Sequence, residues 1–379
     1  MPIEKMTAIE RIEAAVKLKP VDRIPCAPFL DFYFPAKYMG LSVTEAIGNW
    51  KKRFYSIVEV FDEVGGWDGI IISGSSVPVT PHAYSALRLG KSWILDAEKR
   101  DDAPLQFREK MVLTQEDYDD IIDLGWHGYE LRNRGRFSTL REEEMINWAE
   151  NQMQKFKFEV NFWKERGIRT LCGAMVFSPL MILSTSRTLL EITKDIYRIP
   201  DKLEAVMEAM IEDLISDSIE ATRLSGVPGV MLVMERGGCF YYPLKIYERF
   251  EYPHMKRMVE AFAREGIITV MHLDQDYTLN LPYFKDLPPK MVVAELDSIT
   301  DIFKAKEILK GHMCIAGDVP AALSSLGTPE EMEEYCKKLI DLVGKDSGFI
   351  LSTGCICPID CKMRNFKAMV NIAKNYYPH

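Results

Sequence analysis

Along the chain, continuous apolar runs alternate with amphipathic stretches of helical spacing. The apolar runs are RIPCAPFL (23–30), GIIIS (69–73), IRTLCGAM (168–175), GVMLVM (229–234), IITVMHL (267–273), MVVAELD (291–297), MCIAGD (313–318) and FILSTGC (349–355). Runs of this kind suit strands covered on both faces. Between them the spacing predicts helices over 43–64, 202–224, 244–266, 299–311 and 328–344. The last of these opens with Thr328 as N-cap, Pro329 at the first helical position and acidic residues in the first turn, a helix-start signature. Eight strands alternating with helices, without the Gly-rich first turn of a nucleotide-binding fold, predict an α/β fold. It is a single (β/α)8 barrel over residues 1–379 with N-terminal helices, rather than an open doubly wound sheet.

Residues 75–167 break the repeat: a stretch rich in Pro, Asp and aromatics precedes a long charged helix over 140–167. The reading is an insertion between the second and third strands that caps the barrel mouth. Composition narrows the function. With 47 Lys and Arg against 56 Asp and Glu the formal charge is −9, so the basic surplus that nucleic-acid binding draws on is missing. No basic region followed by an apolar stretch opens the chain and no uncharged run approaches the length of a membrane span. The expected setting is cytoplasmic, with the 8 cysteines as thiols or metal ligands rather than a disulfide framework.

Barrels of this type place their chemistry at the C-terminal ends of the strands. Those ends are acidic here: Asp31, Glu235, His272 with Asp274, Glu295 with Asp297, Asp318, and finally Cys355. Alternation sends His272 and Asp274 to the same side of one strand. Imidazole, carboxylate and thiolate are the ligand types that zinc accepts, so His272, Asp274, Glu295 and Cys355 together form a candidate metal site. Taken singly, His272 reads better as a core histidine and Cys355 as a small buried hydrophobe; their coincidence at strand ends reverses that and favours the metal. Cys357 and Cys361 follow in GCICPIDC, where a loop leading into the last helix is the simpler reading. Aromatics crowd the early loops, among them Phe32, Tyr33, Phe177 and Tyr241, and suggest a cavity for a flat apolar ligand.

GVPGVMLVME, ITVMHLD, VVAELDS, CIAGDVP, the TPEEMEEYCKKLI helix and FILSTGCICPIDC with NFKAMVNIAKNY resemble the uroporphyrinogen decarboxylase superfamily, and more closely its cobalamin-dependent methyltransferase branch. The resemblance runs from about Asp22 to the C-terminus and implies one (β/α)8 barrel. The decarboxylases carry RQAGRY after the first strand, where this chain has APFLDFY. Without those arginines a polycarboxylate porphyrinogen lacks its charge partners, and decarboxylation becomes the minor alternative. The branch implies zinc held by a His-x-Cys pair, a Cys of a Gly-Cys and a reversible Glu. Carried over, these are His272, Cys355 and Glu295, with Asp274 standing where the first Cys belongs.

Thiolate ligands leave a bound sulfur nucleophilic; a carboxylate in place of one makes a harder ion, better suited to polarising an ether or alcohol oxygen. The resemblance, read with Asp274, therefore implies the methyltransferase I of a corrinoid O-demethylase system. A methylated small molecule, a methoxylated aromatic compound, gives its methyl to Co(I) of cobalamin. The chain lacks the Asp-x-His-x-x-Gly signature of corrinoid binding, so cobalamin is expected on a separate corrinoid protein. Glu235 and Asp31 are the candidate catalytic residues, Phe32, Tyr33, Phe177 and Tyr241 the substrate-binding ones, and a homo-oligomer is compatible with the sequence. A methylcobalamin:thiol methyltransferase and a non-catalytic metal-binding barrel are the remaining alternatives.

Overall fold

The structure is a computed structural model that describes residues 5–72, 75–76, 104, 111–137 and 141–377. Its strands are β1 (Gly69–Ile70), β2 (Arg169–Thr170), β3 (Ala174–Phe177), β4 (Gly229–Val233), β5 (Ile268–Leu273), β6 (Val292–Leu296), β7 (Cys314–Val319) and β8 (Phe349–Thr353). β3 to β8 form one sheet in sequence order, and β1 pairs with β2 in parallel. Hydrogen bonds join the two sheets into a ring. Leu171 and Cys172 N–H donate to Ile70 and Ile71 O at 2.8 and 2.9 Å, and Gly173 N–H donates to Gly229 O at 2.7 Å, so β2 and β3 are two parts of one barrel strand. The segment around Cys26 closes the circle. It bridges Leu351 in parallel on one side and accepts from Asp68 N–H at 2.8 Å on the other.

The eight expected strands are thus the eight staves of a (β/α)8 barrel. Alternation divides the apolar side chains into two cores. Inside the barrel pack Ala27, Ile71, Met231, Val270, Val293 and Ile350. Helix Ala8–Val16 adds Ile12, Ala15 and Val16 to that group. Its Arg11 is held by Asp22 and Asp68, both at 2.6 Å, and Arg23 joins Asp68 at 2.7 Å. The outer core lies between the sheet and the surrounding helices, with Leu232, Met271, Ala294 and Ile315 facing Met210, Met258, Phe262 and Leu339.

Helix Pro329–Leu342 starts as predicted: Thr328 and Glu331 form a reciprocal capping box. The stretch 43–64 is two helices, Val43–Gly48 and Trp50–Glu63, because Asn49 leaves the helical region and its side chain caps Lys52 N–H at 3.1 Å. The stretch 244–266 is interrupted by a π-turn over Tyr247–Glu251, directly ahead of helix Tyr252–Arg264. Between the second and third staves lie helices Asp117–Arg132 and Glu142–Glu165. Tyr118 O–H and Arg187 both reach Asp195, and His127 reaches Asp217 on helix Pro200–Ser225, so the first of them is fastened to the flank of the barrel. The cap expected of 75–167 falls in part on residues outside those described, 77–103, 105–110 and 138–140.

Candidate metal centre

β5 ends in His272-Leu273 with Asp274 directly after it, and the pleat turns His272 and Asp274 into the barrel while Leu273 packs outside. Cys355 follows Gly354 in the loop after β8. Its Sγ lies 3.9 Å from His272 Nε2 and donates to Asp274 Oδ2 at 3.6 Å. His272 Nε2 is 3.4 Å from Asp274 Oδ1. One ligand atom from each of the three residues falls within a 4.8 Å span, the single such group among the described residues. Glu235, one strand over, brings Oε1 to 4.0 Å from the same Nε2.

Glu295 is placed differently from the expectation. Its Oε2 accepts a hydrogen bond from His272 Nδ1, the nitrogen on the other side of the ring. It is fully buried, and its Oε1 has no partner among the described residues. A carboxylate on Nδ1 cannot share an ion held at Nε2; it fixes the tautomer and orientation of the ring instead. The Phe29 ring stands edge-on to the imidazole, with centroids 5.3 Å apart and planes at 89°, closing off a further side. The site therefore divides into a group around Nε2 (Asp274, Cys355, Glu235) and a support for Nδ1 (Glu295).

Electrostatics follow from this packing. Burial opposes charge on His272, yet the charge of Glu295 and the bonds to Asp274 and Cys355 hold its pKa well above the ordinary imidazole value. Burial works to raise Asp274, but its bond to His272 keeps it below the usual carboxylate range. Burial pushes the Cys355 thiol up to about 11, with His272 pulling the other way, and raises Glu235 and Glu295. The carboxylates around it thus favour positive charge on the His272 ring.

The donor set meets the demands of zinc. Nitrogen, oxygen and sulfur donors converge, and Asp274 Oδ1 is buried with only the long 3.4 Å approach of His272 Nε2 beside it, an arrangement a cation would satisfy. The ring already has its orienting carboxylate, as metal-binding histidines require.

The remaining candidates are scattered. Asp31 accepts from Phe32 N–H, and burial, against the attraction of Arg53, pushes it up to about 7; no hydrogen bond ties it to the His272 group among the described residues. Phe32 and Tyr33 pack with centroids 4.3 Å apart and line a groove of about 300 Å³ with Ala36, Leu41 and Val43. Phe177 ends β3, and Tyr241 packs edge-on against Phe240 at 5.0 Å; neither lines that groove. Asp318 binds Tyr335 O–H at 2.8 Å. Cys357 and Cys361 are buried thiols. Phe29 lies at the end of the first apolar run, among the aromatics expected at the mouth, and the structure sets it against the His272 ring.

Residues 164–376 match the uroporphyrinogen decarboxylase (URO-D) family, more than half of the chain. The chain belongs to that family. Curated relatives are the methylcobamide:CoM methyltransferases MtbA of Methanosarcina acetivorans and Methanosarcina mazei. Each is 29% identical over 133 residues, 35% of this chain and 37% of the relative. The match thus spans a little over a third of the length of those relatives. Among solved structures, a methyltransferase from Methanosarcina mazei superposes with a TM-score of 0.69 at 14% identity, covering 98% of this chain and 100% of that one. At that identity the likeness concerns the fold. No helix among the described residues is long and apolar enough to cross a membrane.

Proposed function

We propose that this member of the URO-D family is a zinc-dependent methyltransferase. It moves a methyl group from an O-methyl donor, a methoxylated aromatic compound, to the Co(I) cobalamin of a separate corrinoid protein. The observation that carries the reading is the convergence of His272 Nε2, the Asp274 carboxylate and Cys355 Sγ within 4.8 Å. The relatives support the class: they are named as methylcobamide methyltransferases.

In this reading His272, Asp274 and Cys355 would hold the ion, with Glu235 beside them as the candidate fourth ligand. A zinc ion held there would supply Lewis acidity toward the ether oxygen of the donor. Glu295 keeps the Nδ1 proton of His272 and so leaves Nε2 free to bind metal. Asp31 is the candidate proton donor to the departing phenoxide oxygen. Phe32 and Tyr33, which line one groove, offer aromatic surface for the donor ring, with Phe177 and Tyr241 as separate candidates.

A thiol methyltransferase is the second reading, since the relatives are named for coenzyme M. Asp274 argues against it, because a carboxylate ligand activates a bound thiol less than a second thiolate would. The test is demethylation of methoxylated arenes by the zinc-loaded chain with a Co(I) corrinoid protein, followed by the corrinoid spectrum and by phenol release. Methyl transfer from methylcobamide to a thiol, with no arene demethylated, would overturn the first reading in favour of the second.

A further inference from the structure

The loop after β4 reaches the metal group through Glu235, and its backbone is pressed from behind by side chains that take no part in the proposed chemistry. Met234 N–H donates to His272 O at 3.2 Å, and Gly237 N–H donates to Met234 O at 3.1 Å, so Glu235 sits in a turn tied to the strand that carries His272. Tyr277 O–H donates to Met234 O, and Asn280 Oδ1 accepts from Cys239 N–H at 3.1 Å. The two glycines permit a close approach. A Cβ on Gly237 would lie 2.6 Å from Glu251 Cδ, and one on Gly238 would lie 2.8 Å from Tyr277 Cζ. Both contacts are closer than real side chains allow.

Glu251 itself is fully buried. It comes from the π-turn Tyr247–Glu251, an irregularity that proteins tend to keep at functional sites. Ser178 Oγ–H donates to its Oε2 at 3.1 Å, while Oε1, the carboxylate atom turned toward Gly237, has no partner among the described residues. No Lys or Arg is recorded in an ion pair with it among the described residues. A buried carboxyl with so little to hold it is an expensive way to fill space.

We infer that Glu251 and Tyr277 are positioning residues: they clamp the Gly237–Gly238 turn so that Glu235 is delivered to the Nε2 side of His272. The inference rests on the reading of Glu235 as the fourth ligand. It explains why two glycines, Gly237 and Gly238, stand one residue beyond that acid, and why a π-turn interrupts the helix behind them. The clamp lets Glu235 approach and withdraw about a fixed hinge, while His272, Asp274 and Cys355 stay put.

The test uses the full chain loaded with Co(II), whose visible ligand-field spectrum reports coordination, together with zinc affinity by competition against a chromophoric chelator. Glu235→Ala is the reference. Gly237→Ala is expected to weaken zinc binding about 10-fold, within the range for disturbed supporting groups, and to change the Co(II) spectrum in the way Glu235→Ala does. Combined with Glu235→Ala it should have no further effect on affinity, as coupled residues behave. Glu251→Gln, which keeps shape and the Ser178 bond, should restore most of the affinity lost in Glu251→Leu. Full affinity and an unchanged spectrum in folded Gly237→Ala, with Glu235→Ala altered, would overturn the clamp. An additive loss in the double variant would overturn it too, by showing general destabilisation. An unaltered Glu235→Ala would instead remove Glu235 from the metal shell, and with it the reading on which the clamp rests.

Discussion

Glu295→Gln separates an orienting role for this residue from a ligating one. The side chain is fully buried and accepts from His272 Nδ1, so the amide fits the same space but brings no charge. Its oxygen can still accept the Nδ1 proton, although an amide turned the other way would offer a hydrogen to Nδ1 and favour the wrong tautomer. Removing such an outer partner typically lowers metal affinity by about 10 to 100-fold, which corresponds to about 1.4 to 2.7 kcal/mol. Loss of a direct ligand should go much further. The assay is zinc competition against a chromophoric chelator at neutral pH, on wild type, Glu295→Gln and His272→Ala, with near-UV circular dichroism to show that packing survives. An intermediate affinity is expected for Glu295→Gln. Wild-type affinity would refute the orienting role, and a loss as complete as in His272→Ala would make Glu295 a ligand after all.

Cys355→Ala should strip bound zinc, as measured by metal analysis, and abolish methyl transfer, while the far-UV spectrum stays that of the wild type. Asp274→Cys should keep zinc but shift preference from methoxylated arenes toward thiol substrates, read as a change in the ratio of the two rates; an unchanged ratio would sink the argument from ligand hardness. His127 joins two helices: its Nε2 lies 2.9 Å from Asp217, and its backbone N–H donates to Asp213 at 2.9 Å just after the break at Gly125. The bond to Asp217 raises its folded pKa above the ordinary value. Its stabilisation is therefore complete below an unfolded pKa of about 6.5 and fades as pH rises through the folded value, so the gap in thermal midpoint between wild type and His127→Gln should narrow from mildly acidic to alkaline pH. Trp163 is 1% exposed and packs against Phe54, Phe61 and Phe162; Trp163→Ala should cost about 3 to 5 kcal/mol, measured by urea unfolding.

The staves were readable from the chain because both faces of each are buried, which leaves long apolar runs with few alternatives. Helix Pro329–Leu342 was readable because its cap is local, made by Thr328 and Glu331 within one turn. Breaks that depend on distant partners were not. The interruption at Gly125 is matched by Asp213, far along the chain, and the π-turn at Tyr247–Glu251 has Glu251 packed under Gly237. Periodicity reports the helix in such places and misses the irregularity, since the residues that stabilise it lie on another element.

The metal group shows the same limit at finer scale. Alternation along one strand puts His272 and Asp274 on one face, and the Gly-Cys after β8 is legible by its place at a strand end. Which acid meets which ring nitrogen depends on register between strands, and a single sequence does not carry that. His272 lies opposite Glu295 on β6 and opposite Val233 on β4. An acid directly opposite, on a strand about 4.8 Å away, meets the ring at Nδ1, the nitrogen nearer the backbone. Glu235 is two residues beyond Val233, one full pleat period closer to the mouth, and so faces Nε2 beside Asp274. One pleat period separates an acid that orients the ligand from an acid that can become one, and the two differ in the sequence only by which neighbouring strand they end.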